Sequence, residues 1–305
     1  MPLSTESLEM FWTLKGIVGI ASWFISEGVF VAKYQISDYL DDTTFALAVV
    51  EHLFELIGLP FVIFVLFYFP THLAIHSNLR QILQSIGLAT LVGTITKWLT
   101  SLHSIVDYQL LDPKINNTLW AMHDTCRAYY YTVPPLMALE RTFATYLVDY
   151  ENASNTTLLG VAIFLTWSLS FGVLCVFYFA DEVTAPVFLA YIILNIFFAA
   201  YFIYLYFINR RHYLSKVFQA HSLSDRYQHA ENIRLIKPIL IIQLMILIYL
   251  TYSSIWMILY RYVAIRTTVG RNYWGRFWHL GYGILSFALP MPFVNVNPNI
   301  VKAFR

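Results

Sequence analysis

Long apolar runs separated by short polar segments dominate the chain. A helix that crosses the roughly 30 Å hydrocarbon core of a bilayer needs about 20 mostly apolar residues. Seven runs reach that length, and we call them the first to seventh spans; they lie near residues 45–69, 82–104, 118–140, 157–180, 186–208, 238–260 and 276–296. Because unpaired backbone groups are very costly in lipid, each run is predicted to be helical. The predicted fold class is therefore all-α, a seven-transmembrane helix bundle.

The stretch 16–32 is a weaker candidate for an eighth span. It is short, carries Glu27 and contains three glycines. Acidic residues stand where a signal peptide needs positive charge, so a cleaved leader is not favoured either. We expect an N-terminal segment over 1–44, a seven-helix domain over 45–300 and a short tail over 301–305.

Composition supports the membrane interpretation. Apolar residues make up 58% of the chain and charged residues 12%, whereas soluble domains average about 25% charged. The formal charge of +1 gives no electrostatic signature of nucleic-acid binding. The two cysteines, Cys126 and Cys175, cannot supply a disulfide framework or a multi-cysteine metal site. Two buried, unbridged thiols are the favoured state, and no metal or cofactor is expected.

Loop charges give a weak preference for an N-terminus outside the cell. In that orientation the inner segments carry slightly more lysine and arginine than the outer ones, as the positive-inside rule requires. The clearest concentration lies in 209–236, predicted to be a long third inner loop. The sequon at Asn116 would lie outside, as glycosylation requires, but those at Asn152 and Asn155 would lie inside.

Four short motifs occur in a characteristic order along the inner segments. They are HSNL at 76–79, LERTFAT at 139–145, DYE at 149–151 and LSDRYQHAENIR at 223–234. Together they resemble the nematode serpentine receptors of class epsilon, the Sre family, from about Phe45 to the end of the chain. The resemblance implies a G-protein-coupled chemosensory receptor in the plasma membrane of chemosensory neurons, with its N-terminus outside. Its partners would be a small-molecule ligand, a heterotrimeric G protein and the lipid bilayer.

Glu140 and Arg141 stand side by side at the inner end of the third span. They are similar to the acid–arginine pair of rhodopsin-like receptors, in which the two residues hold one another at rest and separate on activation. Thr142 follows where those receptors usually place an aromatic residue. The alternative is a pair of exposed interface anchors. With the cationic third inner loop, the predicted coupling residues are Glu140, Arg141, Arg226 and Arg234.

Charged residues within the spans are the best candidates for ligand contact, because each is costly in hydrocarbon. Lys97 and Arg127 are predicted to lie about 10 to 14 Å below the outer surface. The functional hypothesis is a cavity, walled also by Tyr129 and Tyr130, that holds an anionic group of the ligand. Its candidate residues are Glu55, Lys97, Trp98, His123, Asp124, Arg127 and Tyr131. The alternative is structural pairing of Glu55 with Lys97 and of Asp124 with Arg127.

Other function classes have little support. His72 and His76 form an HxxxH pair, but the further histidine boxes of membrane desaturases are missing, as are the HExxH and Gly-x-Ser-x-Gly motifs. We therefore do not expect an enzyme. A transporter of a small, possibly anionic, solute is the alternative, although no internal repeat is visible. Pro290 and Pro292 predict a kink or break in the seventh span.

Overall fold

The computed structural model describes residues 42–67, 76–105, 110–147, 156–179, 184–218, 223–262, 268–289 and 291–294. Within these residues the chain is almost entirely helical and contains no strand. The weaker candidate span at 16–32 and the tail at 301–305 lie outside the described residues.

Nine helices account for the described part of the chain. They are α1 (Asp42–Phe67), α2 (Ser77–Ile105), α3 (Pro113–Thr132), α4 (Pro134–Tyr146), α5 (Thr156–Phe179), α6 (Thr184–Phe218), α7 (Leu223–Tyr262), α8 (Thr268–Ala288) and α9 (Met291–Val294). The third span consists of α3 and α4, and the seventh consists of α8 and α9. Each predicted span therefore coincides with a helical segment.

The most apolar helices are also the least buried. Four segments of the described chain are long and apolar enough to cross a membrane: Ser77–His103, Thr157–Val176, Ala185–Ser215 and His229–Trp256. On α5, α6 and α7, large apolar side chains such as Leu158, Phe197 and Ile248 point away from the protein. Such a surface is unfavourable in water and expected in lipid. The chain is therefore a polytopic membrane protein.

The other helices pack around the third span, with a gap between α5 and α6. Helix α1 packs against α2 and α8, and α7 packs against α8 and α6. The third span contacts α2, α5, α6 and α7. Its side chains Tyr129, Tyr130 and Met137 are fully enclosed, so this span is the core of the bundle. The pairs Asp124–Arg127 and Glu140–Arg141, which both belong to this span, therefore lie between helices.

The third span begins earlier than its apolar run and bends in the middle. The Asp112 carboxylate caps the first turn by accepting from the Lys114 backbone N–H at 2.8 Å. At Val133 the helix bends because the next two residues are prolines, which have no N–H to donate. The Met137 N–H still reaches the Val133 carbonyl at 3.1 Å. The sequence prediction of a single span over 118–140 did not consider the effect of these prolines.

Two other expectations have clear outcomes. The predicted break in the seventh span is confirmed, because α8 ends at Ala288 and α9 begins at Met291. The predicted loop at 209–236 is mostly helical, because α6 continues to Phe218 and α7 begins at Leu223. This stretch contains neither glycine nor proline, and helix-forming residues without a breaker extend both spans. The cationic residues are therefore presented on helices.

Gly93 on α2 permits a close approach of three spans. A side chain at this position would overlap the hydroxyl of Tyr282 on α8 and crowd Cys126 on α3. The Gly93 carbonyl accepts a hydrogen bond from His123 Nδ1 at 3.1 Å. The second, third and seventh spans are fixed against one another here.

Candidate functional site

Two groups of candidate residues lie at opposite ends of the third span. We call the end of the bundle where α4 and α6 end and α7 begins the Arg141 end. The opposite end, where α3 begins and α5 ends, is the Arg127 end. About 14 residues separate the two arginines, which corresponds to about 21 Å along a helix.

At the Arg141 end, Glu140 and Arg141 form a buried ion pair. The Glu140 carboxylate accepts hydrogen bonds from Nε and Nη2 of Arg141 in a bidentate arrangement. The two residues are 5% and 1% exposed. The alternative of exposed interface anchors was therefore wrong, because α6 and α7 pack over this end of α4. A buried pair of this geometry is far more sensitive to loss of one partner than a surface pair is.

Arg141 also reaches the sixth span. Its Nη1 donates to Oδ1 of Asn232 on α7 at 3.0 Å. The Asn232 Nδ2 in turn donates to the Ala144 carbonyl on α4 at 2.7 Å. Two hydrogen bonds in opposite directions thus hold α7 against α4.

The fifth span joins the same network through Asn209 on α6. The Asn209 Oδ1 accepts from Asn232 Nδ2 at 3.2 Å and from His229 Nδ1 at 3.1 Å. The Asn209 Nδ2 donates to Thr145 Oγ1 at 2.9 Å. We call this set the Arg141 network; its members are Glu140, Arg141, Thr145, Asn209, His229 and Asn232.

Sequence reasoning assigned no role to Asn209, His229 or Asn232. The available signal was their polarity at the ends of apolar spans. His229 and Asn232 are three residues apart, so they share one face of a helix. Recognising the network needed the depth and rotation of α6 relative to α7, which spacing along the chain does not give.

The other two predicted coupling residues lie at the start of α7. Arg234 is exposed, two residues beyond Asn232. Arg226 lies on the first turns of α7, and its side chain is outside the described part of the structure. Neither is placed in the Arg141 network by the contacts described above.

At the Arg127 end, Arg127 pairs with Asp124 one turn earlier on α3. The Nη2 to Oδ1 distance is 3.2 Å, and both side chains are nearly buried. This pairing, one of the alternatives drawn from the sequence, is confirmed. The two residues line an open cavity of about 440 Å³ between α3, α5 and α6. Tyr131 lines the same cavity.

Tyr131 connects the cavity to the sixth span. Its hydroxyl donates to Ser253 Oγ on α7 at 3.5 Å. Its ring stacks on Tyr249 of α7 with a centroid distance of 6.2 Å, and it packs edge-on against Phe188 of α6 at 6.1 Å. A molecule in the cavity would therefore contact Tyr131, whose side chain also contacts α7.

The remaining ligand candidates lie apart from this cavity. Lys97 on α2 forms an ion pair with Glu51 of α1 at 2.8 Å, and its Nζ lies 4.4 Å from the centroid of the Trp120 ring. Sequence reasoning expected Glu55 as the partner; Glu51 is one helical turn away on the same face, and spacing alone does not give the relative height of two helices. Glu55 is buried where α1 packs against α8, beside Gly283.

Trp98 and His123 also face other helices. Trp98 stacks on His52 of α1 with a centroid distance of 5.4 Å. The His123 ring packs edge-on against Tyr282 of α8 at 4.5 Å. The seven residues predicted from the sequence to line one cavity therefore fall into two groups. The first group lines the cavity at the Arg127 end and consists of Asp124, Arg127 and Tyr131. The second group packs against other helices and consists of Glu55, Lys97, Trp98 and His123.

Two of the tyrosines expected to wall the cavity belong to the core instead. Tyr129 shares a hydrogen bond of 2.7 Å with Ser85 and stacks on Trp167. The Tyr130 hydroxyl donates to Thr90 Oγ1 at 2.8 Å. Both rings are fully enclosed, which leaves Tyr131 as the member of this triplet that lines the cavity.

The remaining site predictions concern covalent chemistry. Cys126 and Cys175 are both free thiols, as favoured by the sequence, although Cys175 is only partly buried. Asn116 lies in the first turn of α3 and is partly buried. Its glycosylation stays a prediction.

The chain matches a known protein family over most of its length. Residues 61–272 match the family model described as Sre G protein-coupled chemoreceptor. The matched region begins in α1 and ends in α8, so it contains both arginine pairs and the whole Arg141 network. A comparison with curated proteins gave no match.

Proposed function

Because the chain belongs to the Sre family of G protein-coupled chemoreceptors, we propose that it binds a small chemical from outside the cell and activates a heterotrimeric G protein inside. This is a family of receptors rather than of enzymes. The observation that carries the proposal is the contrast between the two ends of the third span. One end borders a cavity, and the other is closed by the Arg141 network.

The Arg141 end supports a resting, closed conformation. Arg141 is 1% exposed, so no partner protein reaches it while Asn232 and Glu140 hold it. Movement of α7 away from α4 breaks the bond to Asn232 and opens the space in which Arg141 lies. An equilibrium between these two arrangements is what a ligand must shift.

The sixth span supplies a mechanical connection between the two ends. Helix α7 is continuous from Leu223 to Tyr262 and contains Pro238. Ser253, which accepts from Tyr131, and Asn232, which accepts from Arg141, are therefore on one helix, about 32 Å apart. Proline removes a backbone hydrogen bond, so Pro238 is a natural point of bending between them. We propose that ligand contact at Tyr131 displaces α7 and releases Arg141.

We place the Arg141 end inside the cell. The support is the exposed cations Arg210, Arg211 and Arg234 around it, together with the family. In this orientation the proposed domains are an extracellular segment over 1–44, a receptor domain over 45–300 and a cytoplasmic tail over 301–305. The proposed location is the plasma membrane of a chemosensory neuron.

Orientation is tested by epitope insertion. An epitope after Asp41 should be reached by antibody on intact cells, whereas one after Gln219 should require permeabilised cells. Reversed accessibility at both positions would refute the orientation and the receptor proposal with it.

The function is tested by a ligand screen on cells that carry the protein, read out as dissociation of a co-expressed heterotrimeric G protein. At least one small compound should increase dissociation. An Arg141→Ala variant should reach the surface and bind that compound but lose most of the response. Lys114→Ala, at an exposed basic position on the opposite end of the bundle, is the control and should respond normally. Uptake of a labelled compound without G-protein activation would support the transporter alternative instead.

A further inference from the structure

The charge at the cavity of the Arg127 end is balanced. Arg127 and Asp124 form an ion pair at 3.2 Å and are 4% and 7% exposed. A carboxylate brought to Arg127 would also lie within a few ångströms of the Asp124 carboxylate, and an ammonium brought to Asp124 would lie near the guanidinium. Repulsion between like charges at such distances is stronger beside largely buried side chains than in bulk water. The pair therefore disfavours a ligand of either charge.

A neutral polar group suits both partners of this pair. A hydroxyl, carbonyl or amide oxygen accepts a hydrogen bond from the Arg127 guanidinium, and an O–H or N–H donates to the Asp124 carboxylate. Hydrogen bonds to ionised groups are stronger than those between neutral groups. One small neutral head group thus gains directional bonds without adding net charge.

The rest of the cavity is apolar. Its walls include Val173 and Leu174 of α5 and Val187 and Phe188 of α6. The space of about 440 Å³ between these walls is partly open to the surroundings of the protein. Most of a ligand in this space would contact hydrocarbon side chains. The ligand body is therefore expected to be aliphatic or aromatic.

The cavity also reaches the lipid-facing surface. Among the described residues α5 and α6 make hardly any contact with one another, although both pack against the third span. Along the α5 wall the exposure rises from 4% at Leu174 to 38% at Val176. Apolar compounds partition into the bilayer and so accumulate at such an opening.

We infer that this cavity binds a small, neutral, mostly apolar molecule with one hydrogen-bonding head group, such as an alcohol, ketone or amide. The inference rests on the proposed receptor function and names the chemical class of its ligand. The head group bonds to Arg127 and Asp124, and the apolar body fills the space between α5 and α6 beside Tyr131.

The test uses the full-length protein in lipid nanodiscs and a series of alcohols, ketones and carboxylates of four to ten carbons. The thermal unfolding midpoint is measured with each compound. Alcohols or ketones of at least one carbon-chain length should raise the thermal unfolding midpoint. The carboxylates of the same chain length should bind at least about tenfold more weakly. Val173→Trp, which fills the cavity, should abolish the increase. Leu165→Trp, at an exposed position of the same helix, is the matched control and should retain it.

Charge variants sharpen the test. Asp124→Asn leaves the Arg127 charge unbalanced, so the preference should shift by at least about tenfold toward the carboxylate of the same length. Since this variant risks failing to fold, the double variant Asp124→Asn with Arg127→Gln accompanies it. The double variant has a neutral pair and should keep the preference for neutral compounds.

Three results would overturn the inference. They are carboxylates that bind the unchanged protein as tightly as the matching neutral compounds, neutral binding that survives Val173→Trp, and no binding by any neutral compound. A G-protein response to carboxylates alone would overturn the inference and leave the receptor function standing. Binding of neutral compounds with no G-protein response to them would support the inference and count against the proposed function.

Discussion

Two acid–arginine pairs lie on the third span, and they differ in what surrounds them. Asp124 and Arg127, on α3, border a cavity between the third, fourth and fifth spans. Glu140 and Arg141, on α4, are sealed by Asn232 of the sixth span. The chemistry of the two pairs is nearly the same. Because their neighbours differ, the Asp124–Arg127 pair is open to a small molecule. The Glu140–Arg141 pair is instead hydrogen-bonded to α7.

The comparison shows that the role of a buried arginine depends on its second contact. Arg127 pairs with a carboxylate and also lines an open cavity, so an entering molecule meets a preformed polar group. Arg141 has a carboxylate and a side chain from another helix, so its environment changes when that helix moves.

The largest effect is expected at a third pair, whose residues do not line the cavity of the Arg127 end. Glu51 and Lys97 are both fully buried and 2.8 Å apart. Lys97→Met leaves an uncompensated carboxylate and should destabilise the protein by about 3 to 5 kcal/mol. The thermal midpoint in detergent measures it. Adding Glu51→Gln should restore more stability than adding Glu55→Gln, and the reverse order would contradict the pairing.

A smaller loss of stability is expected from Arg127→Met. The Asp124 carboxylate that remains borders a cavity that water can enter, so the cost should be about 1 to 3 kcal/mol. The response to ligand should fall strongly while surface expression stays measurable. A dose–response curve at matched surface expression is the measurement. A normal curve would remove Arg127 from the ligand site.

Glu140→Gln should raise ligand-independent signalling. Glutamine keeps an oxygen for Arg141 but removes the charge, which weakens the closed arrangement. A loss of about 1.4 kcal/mol would correspond to about a tenfold change in the equilibrium between closed and open states. Basal G-protein activation at matched surface expression is the measurement. Lower basal activity than in the unchanged protein would refute the role of this pair in holding the resting state.

The smallest effect on stability is expected from reversing the charges of Arg226 and Arg234. Arg234 is exposed, and exposed substitutions usually change stability by less than about 0.5 kcal/mol. Coupling should nevertheless weaken, because a cationic surface beside Arg141 is lost. Lys114→Glu, at an exposed position on the opposite end, serves as the control. Unchanged coupling would exclude this part of α7 from the G-protein contact.

The seven spans could be predicted because lipid imposes a simple rule. A run such as 157–180 that is long and apolar must form a helix in a bilayer, and α5 occupies 156–179. The helical extension through 209–236 was not predicted, because polar residues after an apolar run are consistent with either a loop or a projecting helix. The bend at Val133 was overlooked although its cause, Pro134 and Pro135, is visible in the sequence.

The site was predicted in part. Asp124 and Arg127 are three residues apart on one helix, so their pairing follows from helical spacing. The partners Glu51 of Lys97 and Asn232 of Arg141 come from other helices. Choosing them requires the relative height and rotation of packed helices, and no pattern within a single span contains that information.

The most direct test of the account concerns Asn232. Its side chain bonds to Arg141, so Asn232→Ala should favour the open arrangement and raise basal G-protein activation by about 2- to 10-fold, from a loss of about 0.5 to 1.5 kcal/mol. Asn195→Ala is the matched control: Asn195 is also buried and bonded to the sixth span, through Gln243 at 2.9 Å. Its basal activity should be unchanged. Equal basal activity of the two variants at equal surface expression would contradict the claim that Asn232 holds Arg141 in the resting receptor.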